Sequence, residues 1–111
     1  MAHGEDRRYR FSRPDKKRPV LVLTRTSTLE FLGEVTVAPI TTTIRDIPTE
    51  VLLGPADGMP RDCAVNLDHL QTVSRSRIGS RLTTLDAGRL LEVKSALLFA
   101  LGLDDAVASG L

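Results

Sequence analysis

Short runs of β-branched and aliphatic residues, each ended by Gly, Pro or a polar cluster, recur along the chain. They predict strands near residues 19–25, 34–41, 48–53, 63–67, 70–74 and 78–84, because branched side chains fit a pleated, half-buried surface. Segment 54–60 (GPADGMP) has the punctuation of a surface turn, and 74–77 (SRSR) reads as a polar connection of one helical turn. The period changes at 86–101, where Ala87, Leu90, Leu91, Leu97, Leu98 and Leu101 recur at helical spacings and predict one broad apolar face. Asp86 is placed to cap this helix, Leu85 and Leu90 have the spacing of a hydrophobic staple, and Gly102 supplies a left-handed stop. Residues 1–17 hold little apolar material and are expected to lack a stable strand, apart from a short segment around Tyr9 and Phe11, with 1–15 a basic, flexible leader. The main domain is then 16–103, with 104–111 a tail. The expected fold class is mainly β with α: a small, strongly bent antiparallel sheet or partial barrel closed by the C-terminal helix.

Charge adds an asymmetry to this picture. Residues 1–25 carry eight basic groups against three acids, while the whole chain has a formal net charge of only +1. A basic end on a mildly acidic body suits contact with a polyanion. With three Phe, one Tyr and no Trp, the chain lacks the aromatic platforms on which single-strand binders stack bases. Cys63 is the sole cysteine, which excludes an intrachain disulfide and a cysteine zinc site. No apolar run approaches a membrane span, so a reduced cytoplasm is the expected compartment.

Most catalytic signatures are missing: there is no Gly-rich phosphate loop, no His-x-x-x-His pair and no Ser/His/Asp spacing. Two strand ends do concentrate useful groups. Segment 18–25 (RPVLVLTR) begins and ends in arginine, and segment 37–45 (VAPITTTIR) carries Thr41, Thr42 and Thr43. Guanidinium and hydroxyl donors at the ends of rigid strands suit a phosphate; solvated charges and ordinary β-forming threonines fit the same pattern. Asp68 and His69, where two strands meet, form a candidate proton-transfer pair. Strand-end polar groups satisfied by backbone explain them equally well.

Taken in order, segments 18–24 (RPVLVLT), 37–43 (VAPITTT), 48–51 (PTEV), 54–58 (GPADG) and 62–72 (DCAVNLDHLQT), with a terminal helix ending in ALGL, resemble the MazF/PemK family of bacterial toxins, and its mycobacterial branch in particular. The resemblance covers about residues 16–103. It implies an SH3-like, PemK-type barrel, a homodimer, and a ribosome-independent, sequence-specific endoribonuclease (an mRNA interferase) acting on single-stranded RNA. It further implies cleavage without metal or cofactor, through the RNA 2′-hydroxyl, to a 2′,3′-cyclic phosphate and a 5′-hydroxyl, and inhibition by a MazE-type antitoxin. Carried onto this sequence, it assigns catalysis to Arg18 and Thr41, proton transfer to Asp68 or Asp15, and RNA contacts to Lys17, Arg25, Thr42, Asn66, His69 and Gln71. The loop 11–17 and the first strand depart from the family pattern. Two alternatives stay open: a gyrase-poison toxin of the same fold, whose type centres on a C-terminal tryptophan absent here, and a degenerate toxin that keeps only antitoxin binding.

Overall fold

A computed structural model describes residues 1–10 and 17–104, the side chains of Tyr9, Arg10 and Lys17 excepted. Its elements are β1 (Glu5–Arg10), β2 (Lys17–Val22), β3 (Glu34–Thr41), β4 (Glu50–Leu53), β5 (Cys63–Asn66), β6 (Gln71–Ser74), β7 (Ile78–Thr84) and the helix α1 (Ala87–Ala100). Six of the seven strands fall where β-branched runs predict them, and the polar segment before β7 forms a 3-10 turn at Arg75–Arg77.

β1 is longer and earlier than the short segment expected around Tyr9 and Phe11, running from Glu5 to Arg10. It pairs with β2 on one side and β7 on the other. Its sequence, Glu-Asp-Arg-Arg-Tyr-Arg, has no apolar alternation to reveal it. Two flanking ladders hold it instead, a tertiary effect that local propensity does not carry.

The sheet runs β4-β5-β3-β2-β1-β7, all antiparallel, with β6 also on β3. It does not close, since β4 and β7 remain its ends. β3 is the spine. One of its edges takes β2; the other takes β6 along its first half and β5 along its last residues. Alternate residues of β2 and β3 therefore feed two apolar clusters. Leu21, Ala38 and Ile40 join Val51, Leu53, Val65, Leu67 and the helix residues Val93 and Ala96 in the larger one. Val20, Val35 and Val37 meet Leu29 and Val73 in the smaller one.

Helix α1 begins as the sequence predicts. The Asp86 carboxylate accepts the Arg89 N–H at 2.8 Å, Leu85 and Leu90 pack into the same cluster, and Gly102 takes φ +70°. Its buried stripe differs from the predicted face. Val93 and Ala96 are buried, with Leu90, Leu97 and Ala100 beside them, whereas Leu91 is 65% and Leu101 53% exposed. At 100° per residue, Leu91 lies a quarter-turn away from Leu90 and leaves the contact. No helix among the described residues is long and apolar enough to cross a membrane.

One core group is anomalous. Asp6 is fully buried, and neither carboxylate oxygen has a hydrogen-bond partner among the described residues. Burial, helped by the nearby Asp57 charge, raises its pKa from 3.8 to about 7. The folded protein therefore holds this proton over a range where the unfolded chain has lost it. This group's contribution favours folding least above pH 7 and declines as pH rises from about 4 toward 7. The penalty in the charged state is on the order of 4 kcal/mol at most. Asp6→Asn should match the parent near pH 3 and exceed it in denaturant stability by about 2–4 kcal/mol at pH 8. A stability difference independent of pH contradicts this account of Asp6.

Candidate functional site

The β2–β3 ladder pairs Val20 with Pro39, Leu21 with Ala38 and Val22 with Val37. Extrapolated two residues beyond its last pair, this register brings Arg18 opposite Thr41, on the face that carries Val20 and Pro39. Both residues line one open cavity of about 540 Å³, together with Arg8, Pro19, Ile40, Thr42, Thr43, Met59, Pro60, Arg61, Cys63 and Leu82. Thr41 is locally braced: its hydroxyl oxygen accepts the Thr43 N–H at 3.1 Å. This turn occupies an acceptor lone pair and leaves the hydroxyl proton available to donate. Among the described residues, neither carboxylate nor imidazole lines the cavity, and three arginines do.

Arg8 and Arg61 were not among the residues the sequence singles out. Arg8 sits opposite Pro19 in the β1–β2 ladder, on the strand that has no sequence signature. Arg61 rides on the turn after β4, and that turn is fixed at several points. Asp57 Oδ2 accepts the Gly54 N–H at 3.0 Å, the Met59 side chain is buried, and Gly58 adopts φ +86° with the Thr83 hydroxyl packed where a Cβ would stand. From the helix, Arg89 donates to Asp57 Oδ1 at 2.8 Å, a hydrogen bond that holds the Asp57 carboxyl below its ordinary pKa. Charge runs in this region were the only signal, and they do not say which arginines converge.

Cys63 is part of the cavity lining and is 3% exposed. Burial first, and then the charges of Asp6, Asp62 and Asp57, push its thiol up to about 11. It stays protonated at neutral pH and is a poor nucleophile.

The remaining predicted residues separate from this cavity. Asn66, Asp68 and His69 gather around Arg45 instead. Arg45 Nε donates to Glu50 Oε2 at 2.7 Å, and its Nη2 donates to Asn66 Oδ1 at 3.2 Å and Asp68 Oδ1 at 3.1 Å. Glu50 Oε1 also accepts the backbone N–H groups of Arg45 and Asp46, each at 3.0 Å, which supports the left-handed φ of 54° at Asp46. Burial works to raise the Asp68 pKa, but the Arg45 hydrogen bond, a backbone hydrogen bond and the Arg45 and His69 charges together hold it below the ordinary value. His69 Nε2 lies 3.5 Å from Asp68 Oδ2 and is largely exposed. This cluster folds the 42–49 loop back onto β4 and β5. Arg25 lies beyond the opposite end of β2, and Gln71 is exposed on β6; neither lines the cavity. Asp15 and the Lys17 side chain lie outside the described residues. Among the described residues, no group of three or more His, Cys, Asp or Glu is arranged to hold a metal ion.

Comparison with known proteins places this geometry in context. The family described as PemK-like, MazF-like toxin of type II toxin-antitoxin system matches residues 7–101. The chain belongs to that family. It is 39% identical over 94 residues to endoribonuclease MazF3 of Mycobacterium tuberculosis, a match covering 85% of this chain and 91% of that protein. Among solved structures, the Mycobacterium tuberculosis toxin MazF-mt6 is 35% identical with a TM-score of 0.82, covering 90% of this chain and 98% of that one. A mycobacterial endoribonuclease in complex with its cognate antitoxin is 27% identical, also with a TM-score of 0.82, covering 93% of this chain and 96% of that one. The PemK/MazF fold expected from the sequence is thus the one observed. The family match starts inside β1, in agreement with the seated first strand.

The Arg45 cluster makes a stability prediction. The Glu50 side chain is fully buried while Arg45 is 38% exposed. Glu50→Ala removes one charge from a partly desolvated pair and leaves two loop N–H groups unmatched. The expected loss is about 2 kcal/mol, below the 3–5 kcal/mol of fully buried pairs because solvent screens Arg45. Asp68→Asn should cost less than about 1 kcal/mol. Denaturant unfolding of the two variants checks the order; equal losses contradict it.

Proposed function

We propose that this chain is an mRNA interferase: a sequence-specific, ribosome-independent endoribonuclease that cuts single-stranded RNA without a metal. The observation that carries the reading is the convergence of Arg18 and Thr41 on one cavity lined by three arginines, in a family whose relative is named an endoribonuclease. The RNA 2′-hydroxyl attacks the adjacent phosphorus. The P–O2′ bond forms as P–O5′ breaks, giving a 2′,3′-cyclic phosphate and a 5′-hydroxyl. Negative charge accumulates on the non-bridging oxygens as the phosphorus becomes five-coordinate. Arg18 meets that charge with a planar fork of donors, and Thr41 adds a hydroxyl proton that its turn leaves free to donate.

Two protons move, one off the 2′-hydroxyl and one onto the leaving oxygen. Arginine stays protonated and is a poor base. Of the two carboxylates proposed for this step, Asp68 is engaged by Arg45, and Asp15 stands three residues before Arg18. Asp15 is therefore the preferred candidate. Thr42 keeps its proposed RNA contact at the cavity wall, whereas Arg25, Asn66, His69 and Gln71 lie outside that wall.

A cognate MazE-type antitoxin fits the same surface. An acidic, partly apolar tail that orders on binding complements a cavity lined by three arginines. The reading also includes a homodimer, which the outward Leu52, Leu91 and Phe99 support. An mRNA substrate places the activity in the cytoplasm. The lack of Trp speaks against the gyrase-poison alternative.

Purified protein free of antitoxin should cut a long single-stranded transcript in EDTA, leaving new 5′-hydroxyl ends. Arg18→Ala should abolish cutting and Thr41→Ala should slow it by about 10²–10³-fold. Intact RNA, or a fully active Arg18→Ala protein, overturns the proposal. Asp15→Asn should slow cutting more than Asp68→Asn does; the reverse order in single-turnover rates assigns the proton transfer to Asp68.

A further inference from the structure

The cavity holds more positive charge than a single phosphodiester can neutralise. Arg8, Arg18 and Arg61 line it, all three side chains are exposed to it or to solvent, and no carboxylate of the described residues pairs with any of them. Arg25, Arg75 and Arg77 also lack an acidic partner among the described residues, but none of them lines the cavity. Arg7, Arg45, Arg81 and Arg89 each have an acidic partner within 4 Å. Like charges gathered without counter-charges repel one another, so their placement favours occupation by an anion.

Rigidity sharpens the point. Arg8 extends from a strand with partners on both sides. β7 approaches it closely at Gly79, where an added Cβ would stand 3.4 Å from the Arg8 carbonyl oxygen. Arg61 extends from the turn pinned by Met59 and by the Asp57–Arg89 pair. Guanidiniums on braced elements lose less freedom on binding a ligand than those on loose loops. The volume of about 540 Å³ lies within the ordinary range for a ligand site.

We propose that Arg8 and Arg61 form a phosphate clamp around the Arg18–Thr41 pair, each holding a phosphodiester next to the one that is cut. The inference rests on the nuclease reading above and adds to it a minimum substrate: an RNA single strand with three consecutive phosphates. The clamp acts on binding. Its contacts are made equally before and during the reaction, so they lower KM and leave kcat largely alone. Arg18, in contrast, meets charge that develops only as phosphorus becomes five-coordinate.

An acidic peptide also carries spaced negative charges. Phosphate is favoured because the threonine hydroxyls beside the arginines supply donors suited to non-bridging oxygens, and because Arg18 and Thr41 require a phosphodiester in the same space.

The test uses the full chain, with Arg8→Gln, Arg61→Gln and the charge-preserving Arg8→Lys and Arg61→Lys. Binding is read by fluorescence anisotropy with short 2′-O-methyl RNA oligonucleotides of increasing length, which cannot be cut. Cutting is read separately on a single-stranded transcript. Each Gln variant should bind about tenfold more weakly. It should also lower the slope of log affinity against log salt by about 0.7 between 50 and 200 mM, the value for one lost phosphate contact on a single strand. Both Lys variants should keep the salt slope. KM for the transcript should rise by a similar factor, with kcat changed less than about threefold. Affinity should climb with oligonucleotide length until three phosphates are present and then level off.

Unchanged affinity and salt slope in both Gln variants overturn the clamp, as does a loss confined to kcat. A loss confined to an acidic antitoxin-derived peptide overturns it in favour of a protein-binding surface. Failure of the nuclease reading is distinct, since the parent protein then leaves the transcript uncut.

Discussion

The shared register of β2 and β3 is the constraint on which the rest depends. A single ladder in which Val20 faces Pro39 fixes which side chains enter the core and which emerge at the strand ends. A slip of one residue would turn Leu21 and Ala38 out of the larger cluster and carry Arg18 to the opposite face of the sheet. The site is therefore specified by the same burial that stabilises the domain. Fully buried Val20, Leu21, Val22, Val37 and Ala38 hold the register, and the polar pair at the ladder's end comes with it.

The second support runs through the helix. Arg89 reaches from α1 to Asp57, at the turn that carries Met59 into the core and Arg61 to the cavity rim. A third brace, Glu50 with Arg45, folds the loop after Thr41 onto β4 and β5. Two kinds of polar network thus surround the cavity without entering it. Their carboxylates are matched to arginines of their own, which leaves Arg8, Arg18 and Arg61 to an outside anion. Asp6 is the exception, a carboxylate with no hydrogen-bond partner among the described residues, and its burial raises its pKa.

Much of this was legible in the sequence. Strands rich in valine, isoleucine and threonine reveal themselves by composition, and the helix by its cap, staple and glycine stop. Arg18 and Thr41 are readable because each stands at the end of such a strand. β1 is not legible: Glu5 and Asp6 are buried polar residues, Arg7 and Arg8 look like solvated charge, and only pairing to β2 and β7 makes them a strand. The same gap hid Arg8 from the site. Asp68 misleads for another reason. A carboxylate next to a histidine suggests proton transfer, but its engagement by Arg45 depends on a loop 23 residues away in sequence. The helix face departs from its predicted width where two leucines adjoin: Leu90 packs against the larger cluster and Leu91, about 100° further round, stays exposed.

The most direct measurement is a crystal structure of the protein with an RNA oligonucleotide blocked by 2′-O-methylation at the scissile position. The account predicts one phosphate with non-bridging oxygens in hydrogen-bond reach of both the Arg18 guanidinium and the Thr41 hydroxyl. RNA bound with no phosphate between those two side chains, for example seated on the Arg45–Asp68 cluster instead, contradicts it.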